Sequence, residues 1–293
     1  MTESAKEFKL PLFPVILAVT LVSFLAAAAL QLWSTSKIAE QTIDNEIRNL
    51  TKQTHTSLQL FFDNQLGRAD LLIGHFANDL QLTQSVVNQN AESAADSLDR
   101  LYNSDTGSNL ELLFLLVEGN RIWVDSSSPF FSNPQGLQAL PLAGMSYGRW
   151  YLFQLSVANS SQVIVLRKEP VIDPDSGRIS GGLVGGLVLS GKLQMLNEAR
   201  NYIGVPGLAL RYQNQLLADS TDGALSIGGY FRTLGGGDVD AYGRQEQYVV
   251  GSYFLQLGSQ PSELEFLTLI SSASFQQLKE QYIQQGFNLT LLI

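Results

Sequence analysis

The sequence predicts an α+β chain: an apolar N-terminal helix that crosses a membrane, a long helix, and two helix-led antiparallel-sheet units in tandem. Three observations carry this. No charged residue occurs from Leu10 to Ser36. Between residues 34 and 102 apolar side chains recur at steps of three and four, and no proline intervenes. Beyond residue 105 short apolar runs come in pairs around turn residues.

The first element is the segment LPLFPVILAVTLVSFLAAAALQLW. A hydrocarbon core takes roughly 20 helical residues, so this segment is long enough to span one. Pro11 and Pro14 fall in its first turns, where a missing N–H costs least. Trp33 sits where an interfacial anchor would lie. The run exceeds the roughly 7–15 apolar residues of a cleaved signal peptide, which favours an uncleaved anchor. Lys6 and Lys9 before the span outweigh Lys37 and Arg48 only modestly, so residues 1–9 read as cytoplasmic and residues 10–33 as transmembrane.

The second element covers residues 34–104. Its stripe runs Ile43, Ile47, Leu50, then Leu58, Phe62, Leu66, then Ile73, Phe76, Leu80. The part before 58, with polar flanks, suits packing against a partner or a sister chain; the part after 58 suits covering its own domain.

A membrane-distal strand unit follows over 105–200. Its hairpins centre on Glu118-Gly119-Asn120 and on Asn159-Ser160-Ser161, and a dense turn lies at Asp173-Pro174-Asp175-Ser176-Gly177. The segment GLVLSGKL, residues 186–193, approaches a phosphate-binding loop, but Leu193 stands where Ser or Thr would hold Mg²⁺. Glycines 181, 182, 185 and 186 read instead as thin places in a strand where another backbone or helix lies close. A second unit, 201–275, repeats the pattern with a hairpin at Gln213-Asn214. The LGGGDVD run at 234–240 echoes a nucleotide-cyclase signature and reads as a glycine-rich loop. Residues 276–293 form an exit helix turning apolar from Phe287, expected to be the start of a second span cut off at Ile293.

Composition narrows function. A net charge of −9 speaks against a nucleic-acid partner. The absence of cysteine excludes disulfide scaffolds, CxxC zinc sites and thiol nucleophiles. The only histidines, His55 and His75, stand apart on helix-like sequence. No catalytic cluster, metal site or cofactor is expected.

The helix segment SLQLFFDNQLGRADLLIGHFA and the block from Arg149 to Ala199, RWYLFQLSV through LQMLNEA, resemble the periplasmic sensor domain of LuxQ-type receptors. That family has two tandem PAS-like, Cache-type modules. The resemblance implies a homodimeric receptor in a bacterial inner membrane, with the bulk of this chain in the periplasm. It implies docking of a LuxP-like periplasmic binding protein that carries autoinducer-2. The output, a histidine kinase/phosphatase or a cyclic-di-GMP enzyme, would lie outside these residues.

The alternative is a double-Cache domain that itself binds an amino acid or organic acid. Some such domains carry an Arg-x-Trp-Tyr pattern; here Arg149 directly precedes Trp150 and Tyr151. A one-residue shift sends a side chain to the other face of a strand. The pocket residues to suspect are Trp123, Asp125, Arg149, Trp150, Tyr151 and Arg167, with ordinary sheet packing as the competing account of the three aromatic rings.

Overall fold

The structure, a computed structural model, describes residues 12–104, 110–117, 120–128, 134–157, 160–213, 215–221, 242–244, 248–258 and 260–291. It has the α+β architecture the sequence predicts. The LGGGDVD run, together with the turn residues Glu118, Gly119, Asn159 and Asn214, lies outside the described residues. The chain divides into two compact units, residues 1–50 with 271–293, and residues 51–270.

Helix α1 is continuous from Leu12 to Ala77. In the first unit its most apolar eighteen-residue window reaches a mean hydropathy of 2.4 with no residue buried, as expected of a surface that meets lipid. Lys37 lies with Nζ 4.9 Å from the Trp33 ring, a cation–π contact at the end of the apolar run. Ala39, Ile43 and Ile47 share one face and are buried within the single chain. Helix α6, Ala273–Leu291, belongs to the same unit.

The second unit holds two five-stranded antiparallel sheets. Sheet one has the order β2-β1-β5-β4-β3, from β1 Leu112–Val117, β2 Arg121–Asp125, β3 Trp150–Val157, β4 Ser160–Ile172 and β5 Ile179–Val188. Sheet two repeats that order as β7-β6-β10-β9-β8, from β6 Gly207–Tyr212, β7 Gln215–Asp219, β8 Tyr242–Arg244, β9 Tyr248–Leu257 and β10 Gln260–Ser271. Helix α5, Leu193–Ile203, links them and stops at Gly204, whose φ of 76° closes the left-handed cap.

The helical run after residue 34 is broken twice. Asp79 caps α2, Leu80–Val87, by accepting from the Leu82 N–H, and Asn90 caps α3, Ala91–Tyr102, by accepting from the Ser93 N–H. Ser160 and Ser161 open β4, paired with Val157 and Ser156.

Strand alternation sorts the core into faces. One continuous core joins α1 from Leu58 to Ala77, α2, α3 and α5 to the inner faces of both sheets. It includes Phe62 packed edge-on against Phe266 at 6.4 Å between ring centroids. The opposite face of sheet one holds a second core, Leu112, Phe114, Leu116, Ile164, Leu166, Val184 and Val188, covered by Leu137 of the short helix α4, Pro134–Gln138, and by Leu142 and Met145.

The glycines of β5 explain how the helices approach so near. A Cβ on Gly185 would lie 2.6 Å from Ile73 Cδ1, and closer still to its Cγ1. On Gly181 it would meet Leu116 O at 2.9 Å and Val86 Cγ1 at 3.2 Å. These are the thin places read from the sequence.

Candidate functional site

The near-phosphate loop is not a nucleotide cradle. Lys192 caps α5 and pairs with Glu111, whose Oε2 also accepts the Val188 N–H at 3.1 Å. Gly191, at a φ of 75°, donates its N–H to Leu217 O at 3.0 Å. The lysine is committed to a carboxylate of its own chain.

The six suspected pocket residues divide between the two faces of sheet one. Trp150 opens β3 and turns inward, 9% exposed in the helix-side core. Trp123 packs half-buried against the same core. Arg167 pairs across the ladder with Trp150 and shares its face. There its Nε lies 2.5 Å from Asp70 Oδ1 on α1 and 2.7 Å from Glu169 Oε1. Asp125 is exposed at the end of β2 and accepts the Ser127 N–H at 3.0 Å.

Tyr151 lies on the outer face, stacked with Phe153 at 6.3 Å between ring centroids. Its hydroxyl accepts the Ser146 N–H at 3.0 Å. Hydrogen bonds from Ser146, helped by the nearby Arg149 charge, hold the phenol below its ordinary value. Arg149 itself is exposed in the segment leading into β3. The structure thus brings Trp150 and Arg167 together on the helix side, leaves Trp123 on the opposite edge strand of the same sheet, and sets Arg149 with Tyr151 on the other face.

The outer face carries a residue the sequence reading passed over. Lys168 of β4 is only 4% exposed. Its Nζ donates to Asn120 Oδ1 at 2.5 Å and lies 4.7 Å from the Tyr147 ring centroid. Asn120 stands at a φ of 56°, a left-handed turn position that asparagine tolerates. Burial holds the Lys168 amine below its ordinary value. Strand alternation was the signal available: in VIVLRKEPVI, Lys168 falls on the same face as Ile164 and Leu166.

Two further features lie in the second module. Glu265, 4% exposed, accepts from Arg211 Nε at 2.6 Å and from the Ser252 hydroxyl. A shallow groove of about 330 Å³ is lined by His55, Thr56, Gln59, Leu60, Asp63 and Gln256. Gln59 fixes one wall, its Oε1 accepting the Gln256 N–H at 2.9 Å and its Nε2 donating to Gln256 O at 3.0 Å.

Comparison with known proteins places this architecture. The family model described as "LuxQ, periplasmic" matches residues 39–278. The autoinducer 2 sensor kinase/phosphatase LuxQ of Vibrio cholerae serotype O1 is 21% identical over 264 residues, which cover 89% of this chain and 30% of that protein. The protein of the same name from Vibrio harveyi is 22% identical over 190 residues, 63% of this chain and 22% of that one. The chain therefore spans less than a third of the length of these curated relatives. The crystal structure of the periplasmic domain of Vibrio cholerae LuxQ superposes with a TM-score of 0.65 at 22% identity, over 75% of this chain and 99% of that domain.

Proposed function

Because the chain belongs to the LuxQ periplasmic sensor family, we propose that it is the sensory arm of an inner-membrane receptor that docks a LuxP-like periplasmic binding protein carrying an autoinducer-2-type signal. The observation that carries this reading is the family match over residues 39–278, which takes in both sheets. The relatives' name, autoinducer 2 sensor kinase/phosphatase, supplies the signal and the output. The unburied apolar stretch of α1 supplies the anchor. In this reading residues 10–33 cross the bilayer and 34–104 connect and pack. Residues 105–200 form the membrane-distal module, 201–275 the proximal one, and 276–293 lead back toward the membrane. A cytoplasmic histidine kinase/phosphatase is joined beyond the residues present here.

The chain does no chemistry in this account. Two copies pack as a dimer, and the docked protein shifts the balance between two packings only by as much as it binds them unequally. A difference of a few kcal/mol is enough.

The test uses the whole chain in nanodiscs, mixed with an autoinducer-2-binding periplasmic protein, with and without autoinducer-2. The expected result is a co-eluting complex whose affinity differs by about tenfold between loaded and empty partner, a coupling of about 1.4 kcal/mol. The reading fails if neither form binds at partner concentrations of about 100 μM, a level weaker than regulatory docking requires.

A further inference from the structure

We infer that the face of α1 turned away from the sheets, from Leu60 to Gly74, is the surface on which two copies of this chain pair in parallel. It rests on the proposed receptor reading only in taking both copies to be anchored in one membrane. Docking of a binding protein plays no part in it.

Exposed leucines are the first observation. Helix α1 buries Leu58, Phe62, Leu66 and Ile73 in the core it shares with the sheets. On its opposite side Leu60 is 52% exposed and Leu71 77%. They lie about three turns apart, so they stand on one line along the helix. That line advances by alternate steps of four and three: Leu60, Asn64, Gly67, Leu71, Gly74. This is the spacing of a two-stranded coiled-coil seam, and no charged residue falls on it.

The two glycines are the second observation. Glycine inside a helix is destabilising relative to alanine. Those of β5 are required by what presses on them, but a Cβ on Gly67 or Gly74 would meet nothing within 4 Å. Packing within one chain therefore explains neither. A second helix laid along the seam explains both, since the missing side chains let two backbones approach closely.

The flanks name the occupant. Asp63 and Arg68 are exposed on opposite sides of the seam, and among the described residues neither has an ion-pair partner. Asp63 accepts from the neutral Gln59 amide. Five positions apart, the two side chains are not neighbours on one helix. In a parallel, in-register pair each flank residue meets the one five positions further along its twin, so Asp63 of each copy faces Arg68 of the other. An antiparallel pair would set aspartate against aspartate. Asn64 falls where a buried asparagine selects register and two strands. The apolar run at the start of α1, anchored in one membrane, points both copies the same way.

The test is disulfide cross-linking of the whole chain in membranes, where the absence of native cysteine lets each introduced one be read alone. On oxidation Leu60→Cys and Leu71→Cys give linked dimers, whereas Leu80→Cys and Leu216→Cys, exposed but off the seam, do not. With Leu71→Cys as the reporter, Asp63→Arg or Arg68→Asp slows cross-linking by about tenfold. The two reversals together restore it, a rescue that only contact between copies can give. The inference is overturned if positions 60 and 71 cross-link no better than 80 and 216, or if the double reversal restores nothing. The mass of the unsubstituted chain in nanodiscs separates the two failures. Two copies per disc without a cross-link at the seam removes this surface alone. One copy per disc removes the receptor dimer with it. Neither result bears on the docking experiment.

Discussion

Ile73 of α1 is seated in a notch that Gly185 opens in β5. The isoleucine is fully buried, and there is no space for even one methyl group between it and the strand. Overpacking of a filled core costs about 1–3 kcal/mol. Gly185→Ala is therefore expected to destabilise the chain by that amount in urea unfolding. Ile73→Ala in the same chain recovers part of the loss, so a double-mutant cycle reads a favourable coupling between the two substitutions.

Arg167 is the guanidinium that a carboxylate-capture site would use, and it already holds two carboxylates. Its side chain is 17% exposed, Glu169 18% and Asp70 36%. Arg167→Met leaves those two acids facing one another and is expected to cost about 1–3 kcal/mol. Asp70→Asn, at the more exposed end, is expected to cost about 1 kcal/mol or less. Denaturation midpoints of the ligand-free chain check both. A loss that appeared only in the presence of ligand would reassign Arg167 to binding.

The buried amine gives stability a pH dependence of known sign. Lys168 gives up its proton at lower pH in the folded chain than in the unfolded one, because burial disfavours the charge. The unfolded chain binds more protons in that window, so stability rises with pH from the lowered value up to the ordinary 10.5. Tyr147, raised above 10.0 by burial, acts oppositely, but only above 10.0. A rise in unfolding free energy toward pH 10 that Lys168→Met flattens is the expected outcome, and urea titrations across that range check it.

The apolar stretch of α1 has an equally direct test. An arginine near the middle of a span costs about 2.5–3.5 kcal/mol for insertion. Val22→Arg with Leu25→Arg places two there, on positions 64% and 58% exposed in the chain alone. The double variant is expected to leave the membrane fraction on alkaline extraction, whereas Lys37→Gln, outside the span, is not.

Local chemistry was legible at the Asp173 turn and at the β5 glycines. The turn at Asp173 to Gly177 forms as read, with Asp173 accepting from the Asp175 N–H and the Ser176 hydroxyl. The β5 glycines lie against α1, α2 and neighbouring strands as expected. The helix breaks at Asp79 and Asn90 were missed because a helical period continues across an Asx cap when no proline marks it. The partners of Arg167 and Lys168 were hidden for another reason. Asp70 is nearly a hundred positions from Arg167 in sequence, and Asn120 reaches Lys168 from 48 positions away. Only the order β2-β1-β5-β4-β3 brings such groups together, and a strand's own pattern does not encode it.

The Ile73 seat also limits how the sensor can move. One helical turn either way along α1 from Ile73 are Ala69 and Ala77, both buried and both much smaller. A slip of α1 by a turn, about 5.4 Å, would trade the isoleucine for a methyl group and leave the notch half empty. The contact therefore works as a detent with a single stop. A stimulus reaching the first sheet carries this stretch of α1 along as cargo; ratcheting of one past the other is closed to it.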